Sequence, residues 1–464
     1  MDSVRETSVV AILCPAGWGL RNMVHSGVTS LLHKYGITTR VLARSRVVRD
    51  GQQEWGPAGT GAELLDASVI RSERGHAALN AVLRASFARR HRISTYRIFN
   101  RWRRRHDGPW LRTRNAVVEL LSLVGSREPF YSWQVRASEV RYQRSRDLAP
   151  IVRQLTDIRP TLVVSTNCQM SDEVPYLLAA RELGVPTLGC IPSFDNLTTR
   201  SVLPVFDHYA LWNERMRGQL LEYYPDRDPA TVHITGTPQF DFHARADCRW
   251  SRDVTLERLG LRPADRYILW AANHYTHTPD EPDRVIALAR QCTATPELRE
   301  HRVVVRPHPL DDARRWEPGL ADGRVAISWP WEGPAGVPRP RDQAKLVSTL
   351  FHADVCLNTA STMSLDAAAV GTPVVCVDFG DHPQGHAMDH FRPIVESGGV
   401  RLAVNLGELV AEIVAYVRDR SRDDVERRRL VSQECGPVDG RCAERVAQVI
   451  ADIVNRRTAS VADA

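Results

Sequence analysis

The sequence predicts an α/β protein of two domains. The chain has 464 residues, more than one hydrophobic core usually organises. Strand–helix–strand patterns recur in both halves, so each half is expected to build a parallel sheet covered by helices. A charged stretch with little apolar periodicity, residues 242–262, separates the halves. We expect an N-terminal domain over residues 1–245 and a C-terminal domain over residues 246–464.

Composition is that of a soluble globular protein, with 43% hydrophobic and 25% charged residues. No stretch approaches the roughly 20 apolar residues of a membrane span, and the N-terminus shows no secretory signal. The nine cysteines form no Cys-x-x-Cys pair, and several lie in apolar strands, as buried reduced thiols do. These features predict a cytosolic protein without disulfides or zinc.

The first half begins with strands at Val9–Leu13 and Thr39–Ala43 and a helix between them, from about Met23 to Tyr35. The turn after the first strand holds four candidate ligand contacts, Gly17, Gly19, Arg21 and Asn22. Glycines let a ligand approach the backbone closely, although a tight turn also needs them for steric reasons.

Residues 45–150 interrupt this pattern and predict a mostly helical, arginine-rich insertion. The segment from Arg84 to Arg114 holds eleven Arg and two His against one acid, Asp107, with aromatic residues interleaved. We rank an anionic membrane surface first as its partner, a merely solvated helical face second, and a nucleic acid third.

The α/β pattern then resumes. Strands are expected at Thr161–Ser165, Thr187–Ile191, His208–Trp212 and Val232–Thr235, with helices at Asp172–Leu183 and Glu214–Tyr224. Ligands of open α/β sheets bind at the carboxyl ends of strands. Asp195 and Asn196 follow the second of these strands and are therefore candidate site residues, although Asp195 suits a local turn equally well.

In the second half, strands are expected at Tyr267–Ala271, Arg302–Val305, Val355–Leu357 and Val374–Val377. Helices are expected at Asp283–Gln291, Gln343–Phe351, Met363–Val370, Gly407–Arg418 and Gly440–Arg456. Polar residues follow several of these strands. They are the second set of site candidates.

Arg306 and His308 alternate with prolines at one such strand end. A guanidinium beside an imidazole suits a phosphate or pyrophosphate, because both groups donate hydrogen bonds and one is always charged. His274 and His277 follow another strand and are expected at the same edge of the sheet. A solvated arginine and a core histidine are the competing interpretations.

Ser361 and Thr362 occupy the turn before the Met363–Val370 helix. The unpaired N–H groups and the dipole of a helix N-terminus attract anions. The bland alternative is that both residues simply cap a helix.

Two acidic pairs, Asp280-Glu281 and Asp311-Asp312, come nearest to a metal-binding motif. Both are expected to be solvated turn residues. We therefore expect Arg306, His308 and the helix N-terminus to hold any leaving-group charge, without a metal ion or another cofactor.

Four motifs together resemble the glycosyltransferase-B (GT-B) superfamily: Arg306-Pro307-His308-Pro309, Asn358–Phe379, Gly236–Asp241 and Asp439-Gly440-Arg441. Within it, the chain is most similar to bacterial cell-surface polymer transferases of the CDP-glycerol glycerophosphotransferase type and to their capsule-polysaccharide relatives. The resemblance is strongest over residues 230–445 and absent from residues 45–150. It implies two facing Rossmann-like domains with a cleft between them.

The resemblance also implies residue roles. The donor-binding residues would be Arg306, His308, Asn358, Ser361, Thr362, Asp366 and His274, with Asp366 holding the ribose. The glycerophosphotransferases carry a His-Gly motif as acceptor-side base, where this sequence has Ser193-Phe194-Asp195-Asn196. That departure favours a sugar donor, with Asp195 as the general base and His308 as the second catalytic residue.

The implied function is metal-independent transfer of a sugar, or of a polyol-phosphate group, from a nucleotide-activated donor to a cell-surface polysaccharide or lipid-linked acceptor. It would take place in the cytoplasm or on the inner face of the cell membrane. A non-hydrolysing nucleotide-sugar (UDP-GlcNAc-type) 2-epimerase shares the fold and the Ser/Thr-rich turn, but has no use for a basic, membrane-facing insertion. A non-catalytic nucleic-acid-binding protein is the second alternative.

Overall fold

The computed structural model describes residues 8–15, 17–45, 47–49, 61–67, 74–143, 148–167, 173–199, 206–276, 278–321, 323–331, 339–380 and 385–462. The predicted site residue His277 lies outside this set. The chain forms two compact units, one of Met1–Pro238 with Arg441–Ala464 and one of Gln239–Gly440. Each unit is built on one sheet of parallel strands, as the sequence predicted.

The first unit contains a seven-stranded sheet in the order β3-β2-β1-β4-β5-β6-β7. Its strands are β1 (Val9–Cys14), β2 (Thr38–Ala43), β3 (Ala62–Asp66), β4 (Leu162–Ser165), β5 (Thr187–Cys190), β6 (His208–Leu211) and β7 (Val232–Ile234). Its short helices are Gly17–Leu20, Arg21–His25 (a π-helix), Val28–Lys34 and Asn196–Thr199. Its longer helices outside the insertion include Leu148–Ile158, Val174–Glu182 and Glu214–Tyr223. The central strands are fully buried, which leaves the loops at the strand ends to carry polar function.

The insertion differs from the prediction in one respect. Its residues Ala62–Asp66 form β3, which pairs in parallel with β2 at the edge of the sheet. The rest of the described insertion is helical, as expected, with helices at Arg74–Arg90, Ser94–His106, Pro109–Gly125 and Phe130–Gln143.

The second unit contains a six-stranded sheet in the order β10-β9-β8-β11-β12-β13. Its strands are β8 (Arg266–Ala271), β9 (His301–Arg306), β10 (Val325–Ile327), β11 (Cys356–Asn358), β12 (Val374–Val377) and β13 (Arg401–Ala403). Helices lie at Asp241–Ala244, Arg252–Arg258, Glu281–Ala294, Glu317–Ala321, Pro340–Phe351, Met363–Ala369, Arg392–Glu396, Leu406–Arg418 and Asp424–Glu434. Trp270 and Trp316 are the largest side chains of its core, and each is at most 1% exposed.

The division between the units differs from the predicted boundary after residue 245. The second unit begins at Gln239, and the last helix, Cys442–Ala462, belongs to the first unit. Arg445 Nε of this helix donates to the Thr235 carbonyl at 2.9 Å, and Arg457 donates to the Gly184 carbonyl at 2.6 Å. An amphipathic pattern predicts that a helix covers a sheet, but it does not indicate which sheet.

The eight described cysteines are free, and seven of them are buried, as the sequence predicted. Burial raises the pKa of Cys292 to about 12 and that of Cys376 to about 12, so both stay protonated thiols near neutral pH. Among the described helices, none combines the length and apolar character needed to cross a membrane.

Candidate functional site

The candidate site of the second unit lies along one row of its sheet. Arg306 at the end of β9 pairs in register with Ala271 of β8, which pairs with Asn358 of β11. Paired residues of parallel strands point to the same face, and neighbouring strands lie about 4.8 Å apart. The side chains of Arg306 and Asn358 therefore leave the same face of the sheet, about 10 Å from each other at the backbone.

Arg306 is partly buried, and its guanidinium has no hydrogen-bond partner among the described residues. Its Nη1 atom is buried, and no described residue accepts a hydrogen bond from the guanidinium or forms an ion pair with it. Burial lowers the pKa of Arg306 to about 10, against the opposing charges of Asp342 and Asp366. Burying N–H donors without acceptors costs free energy that an oxygen-rich anion would recover.

Asn358 organises the turn after β11. Its Oδ1 atom accepts hydrogen bonds from Ser361 N and Ser364 Oγ, both at 3.0 Å, while its buried Nδ2 has no partner. Ser361 Oγ accepts from Met363 N at 3.3 Å, which is the capping contact that the sequence left open. Thr362 is exposed beside it. The turn thus offers a second unpaired buried donor, the Asn358 amide, in addition to Arg306.

Two of the predicted histidines meet at the ends of β8 and β9. The rings of His274 and His308 pack edge to face, with their centroids 5.0 Å apart. His308 Nδ1 accepts from Leu310 N at 3.2 Å, so in the neutral ring the proton resides on Nε2. Asn273 Nδ2 donates to the Thr359 carbonyl at 3.1 Å and ties this loop to the turn after β11. The structure therefore brings the three strand ends together.

Asp366, the predicted ribose-binding acid, faces a histidine that the sequence did not reveal. His243 Nε2 lies 3.0 Å from Asp366 Oδ1, and its Nδ1 donates to the Gln239 carbonyl at 3.1 Å. Both ring nitrogens of His243 thus lie close to oxygen atoms of the second unit. His243 follows the Gly236–Asp241 motif by two residues, which is the one sequence signal that marked it.

A second unpredicted pair, Asp378 and His386, lies beyond β12. His386 Nδ1 is 2.5 Å from Asp378 Oδ2, and Asp378 Oδ1 accepts from Gly380 N at 3.1 Å. A carboxylate that holds one ring nitrogen orients the imidazole and leaves the other nitrogen for a ligand or a proton.

The segment that carries His386 packs tightly against the turn after β11. A Cβ atom at Gly385 would lie 2.4 Å from the Cβ of Ala360, and Ala360 itself has a left-handed backbone with φ of 47°. Few non-glycine residues adopt that conformation, and strained backbone of this kind concentrates at functional sites. The close contact holds both strand-end loops in one fixed arrangement.

Moving the methyl group across this contact provides a test. We expect Gly385→Ala to lower the free energy of unfolding by about 1–3 kcal/mol, because two methyl groups would overlap. Adding Ala360→Gly removes the facing methyl group and the left-handed alanine, so the double variant should recover that loss. Urea unfolding of both variants measures this. A loss in the double variant equal to that of Gly385→Ala would show that the contact is not the cause.

The prediction that both acidic pairs are solvated is wrong for one residue of each pair, because Glu281 and the carboxylate of Asp311 are buried. Glu281 is 1% exposed and accepts from Trp270 Nε1, Asn273 N and Thr278 Oγ1 at 2.9–3.1 Å. Asp311 has a fully buried carboxylate that pairs with Arg315 at 2.7 Å. These acids position loops rather than face solvent. Glu281 in particular fixes the loop that carries His274.

Burial raises the pKa of Glu281 to about 7, although its hydrogen bonds oppose the shift. A carboxyl with a raised folded-state pKa contributes stability that is complete below its unfolded value near 4.5 and is lost as pH rises through 7. Wild type should therefore be more stable than Glu281→Gln at low pH by a margin that shrinks as pH rises. The difference between their free energies of unfolding should fall by about 2–3 kcal/mol between about pH 5 and about pH 8. The matched control is Asp280→Asn, whose side chain is 41% exposed. Chemical denaturation at several pH values measures the difference, and a pH-independent difference for Glu281→Gln would refute the assignment.

The segment after β1 in the first unit differs from the glycine-rich turn that the sequence predicted. Gly17 and Gly19 lie inside the Gly17–Leu20 helix, and a Cβ at Gly19 would come within 2.4 Å of Thr166 Oγ1. The steric interpretation thus accounts for Gly19. Arg21 and Asn22 begin the π-helix, where Arg21 Nε donates to Asn22 Oδ1 at 3.0 Å.

The loop after β5 is held by its own hydrogen bonds. Ser193 Oγ and Asn196 Nδ2 both donate to Asp195 Oδ1, and Ser193 N donates to Asn196 Oδ1 at 3.1 Å. These contacts are the local turn that the sequence left open for Asp195. Asp195 is partly exposed and Asn196 is buried.

Glu173 is a buried acid of the first unit that sequence reasoning missed. It is 1% exposed and accepts from Asn167 N at 2.9 Å and from Ser165 Oγ at the end of β4. A small cavity of about 20 Å³ beside this edge is lined by residues that include Asn22, Thr166 and Thr237. That volume suits about one water molecule.

A larger cavity, of about 540 Å³, lies at the opposite, amino-terminal edge of the second sheet. Its arginines have partners: Arg266 pairs with Asp354 at 2.7 Å, Arg252 donates to the Asp265 carbonyl, and Arg420 donates to the Phe351 carbonyl. The unpartnered guanidinium of Arg306 therefore distinguishes the carboxyl edge from the amino edge.

Comparison with known proteins shows the fold. No protein-family model matches the chain, and no curated protein matches it in sequence. Three solved structures superpose over nearly its whole length. UDP-GlcNAc 2-epimerase from Neisseria meningitidis, bound to UDP-GlcNAc, matches with a TM-score of 0.56 and 12% identity over 96% of this chain and 99% of that chain.

UDP-GlcNAc 2-epimerase from Methanocaldococcus jannaschii matches with a TM-score of 0.55 and 12% identity over 96% of this chain and 99% of that chain. The S. aureus MnaA–UDP co-structure matches with a TM-score of 0.56 and 12% identity over 97% of both chains. Identity at this level shows fold and not activity. The two parallel α/β sheets of this chain form a GT-B fold, as the sequence resemblance implied.

Proposed function

We propose that this chain is a nucleotide-sugar-dependent enzyme whose second unit binds the donor at the carboxyl edge of its sheet. The unpartnered guanidinium of Arg306, with its buried Nη1 atom, is the observation that carries this proposal. It lies in one register row with the unpaired Asn358 amide, and His308 follows it by two residues. Such a set of donors suits the diphosphate of a nucleoside diphosphate, which presents only acceptors and negative charge.

The solved neighbours support the same ligand class. Two of them contain UDP or UDP-GlcNAc. Proteins of the same fold catalyse different reactions, so the reaction has to be inferred from the residues of the site and not from the fold.

The reaction that we propose is transfer of a sugar, or of a polyol-phosphate group as in the CDP-glycerol-type relatives, to a cell-surface polysaccharide or lipid-linked acceptor. In sugar transfer a base takes the acceptor hydroxyl proton while that oxygen bonds to the anomeric carbon and the bond from this carbon to the diphosphate breaks. Asp195 is the proposed base. Arg306 and His308 would stabilise the charge that develops on the departing diphosphate.

A 2-epimerase is the second candidate, because the epimerase structures match the chain over at least 96% of its length. Epimerisation needs acid–base groups at the sugar and no acceptor. The two buried or oriented pairs beside the donor site, Asp366 with His243 and Asp378 with His386, are available for such work.

Product analysis separates the two candidates. The purified chain is incubated with UDP-, GDP- and CDP-activated sugars and with CDP-glycerol, with and without a detergent-solubilised polyprenyl-phosphate-linked sugar acceptor, and products are followed by NMR. Nucleoside diphosphate, or CMP from CDP-glycerol, released only with the acceptor supports transfer. A change in the donor sugar without acceptor supports epimerisation. Absence of any product, together with absence of nucleotide binding, would refute both.

A further inference from the structure

The Pro109–Gly125 helix of the insertion, which we call the apolar helix, turns a core-like face to solvent. Val117, Leu120, Leu121 and Val124 follow the i, i+3, i+4, i+7 spacing of a face that normally packs inside a protein. Here these four side chains are 51%, 66%, 51% and 53% exposed. Trp110, one heptad earlier, is 71% exposed. The chain therefore displays an exposed apolar stripe about two helical turns long, with Trp110 about two turns before it on the same face.

The side of the apolar helix that faces the rest of the helical group packs through polar contacts. Gln134 of the Phe130–Gln143 helix is 4% exposed, donates to the Gly125 carbonyl at 2.8 Å and accepts from Ser86 Oγ at 3.1 Å. Ser122 of the apolar helix is 1% exposed and accepts from Arg89 Nε at 3.0 Å.

On the next helix of the insertion, Phe130 and Trp133 are also exposed, by 52% and 64%. Monomeric soluble proteins rarely expose so many large apolar side chains in one short segment. Polar contacts on the inner side of the apolar helix and apolar side chains on its outer side are the arrangement of a helix that meets an apolar phase.

Positive charge borders this stripe. The Ser94–His106 helix, which we call the arginine helix, is tied to the apolar helix by Arg104 and Asn100, which both donate to Glu119 at 2.7 Å. Arg97, Arg101 and Arg105 share one face of the arginine helix, at i, i+4 and i+8. They are exposed, and no carboxylate of the described chain pairs with them. Unpaired arginines beside exposed leucine, valine and tryptophan side chains match the two layers of an anionic bilayer surface.

We propose that the apolar helix and the arginine helix form a surface that binds an anionic lipid bilayer. The stripe enters the boundary between head groups and acyl chains, Trp110 and Trp133 lie at the interface, and the three arginines contact anionic head groups. A second copy of the chain fits less well, because an isologous contact through the stripe brings two arginine helices together. Nucleic acid leaves the stripe uncovered. Vesicle binding needs no nucleotide, so this proposal does not depend on the proposed enzyme activity.

Vesicle flotation of the full chain tests the proposal. We expect binding to vesicles with about one-third phosphatidylglycerol in phosphatidylcholine, and much weaker binding to pure phosphatidylcholine. Leu120→Asp should lower the partition coefficient at least about tenfold, because it places a charge within the stripe. The matched control is Val425→Asp, which changes a side chain that is 64% exposed on the Asp424–Glu434 helix and should leave binding unchanged.

The arginines have a separate test. Replacing Arg97, Arg101 and Arg105 together by Gln should lower binding to the anionic vesicles by about fivefold per residue and leave binding to neutral vesicles unchanged. All of the substituted side chains are exposed, so thermal unfolding should stay at the wild-type temperature and confirm that the variants are folded.

Several results would overturn the proposal. One is equal flotation of wild type and Leu120→Asp. Another is a dimer in solution that Leu120→Asp dissociates, without vesicle binding, which would assign the stripe to a second copy. Salt-sensitive binding of single-stranded RNA by the wild type, unchanged in Leu120→Asp and without vesicle binding, would assign the arginine helix to nucleic acid.

Discussion

Replacing Arg306 by Met is expected to change ligand binding and apo stability in opposite directions. The variant should lose most of the stabilisation by a nucleoside diphosphate, which in the wild type reaches about 2.7 kcal/mol at a concentration of about 100 times Kd. Truncating one side of a buried charge pair usually costs about 2–5 kcal/mol of binding. The unliganded variant, however, should gain on the order of 1–3 kcal/mol, because the wild type buries the Nη1 donor without an acceptor and desolvation lowers the pKa of the guanidinium.

Thermal and urea unfolding with and without UDP, GDP and CDP measure both effects. Arg302→Met is the matched control, because Arg302 lies on the same strand, is about one-third exposed and donates to the Gly323 carbonyl at 3.1 Å. It should change neither quantity by more than about 0.5 kcal/mol. A destabilised Arg306→Met variant that still responds to nucleotide would mean that Arg306 serves the fold and not a ligand.

The opposite signs follow from a general property of binding sites. Desolvating a group that is already positioned for a ligand costs free energy in the unliganded protein. Binding residues therefore often reduce the stability of the free protein. A structural arginine has its partners in the folded chain, as Arg266 has in Asp354. Arg306 lacks them, and this difference separates the two roles.

Sequence patterns predicted the bounds of the strands around the site to within a residue or two. Val374–Val377 has the predicted bounds, because a β-branched apolar run flanked by Gly371 and Pro373 leaves few alternatives. β3 was missed for the opposite reason. Its residues, Ala-Glu-Leu-Leu-Asp, favour a helix, and pairing with β2 overrides that local preference.

The site partnerships could not be predicted, because they join residues far apart in the chain. Nothing near Asp366 indicates that His243 faces it, and nothing near Glu281 distinguishes it from its solvated neighbour Asp280. The shared location of Arg306, His274 and Asn358 could be predicted, because the carboxyl ends of parallel strands lie at the same edge of a sheet.

The apolar helix marks another limit of sequence reasoning. The i, i+3, i+4, i+7 pattern of Val117 to Val124 normally indicates the side of a helix that faces the core. The pattern measures affinity for an apolar environment and does not say whether protein or lipid provides it. Only the packing of Ser122 and Gln134 on the inner side shows that this stripe faces outward.

Asp366→Asn is expected to discriminate between two nucleotides if Asp366 holds a ribose. A hydrogen bond from a ribose hydroxyl to a carboxylate contributes about 1.5–3 kcal/mol, so UDP should bind about 10–100 times more weakly to the variant. The 2′,3′-dideoxy analogue of UDP lacks that hydroxyl and should bind wild type and variant almost equally. Titration calorimetry of the four combinations gives the coupling energy directly.

The cycle also tests the competing role, in which Asp366 only fixes His243 at 3.0 Å. In that case the variant weakens both nucleotides by the same factor, and the coupling energy is zero. Asp342→Asn is the matched control, since Asp342 also acts on Arg306 electrostatically but accepts its hydrogen bond from Arg339 N at 2.8 Å. It should shift both affinities together, because removing a negative charge near Arg306 affects any diphosphate. A coupling energy confined to Asp366 would therefore identify the ribose contact and, with it, the orientation of the nucleotide on the sheet.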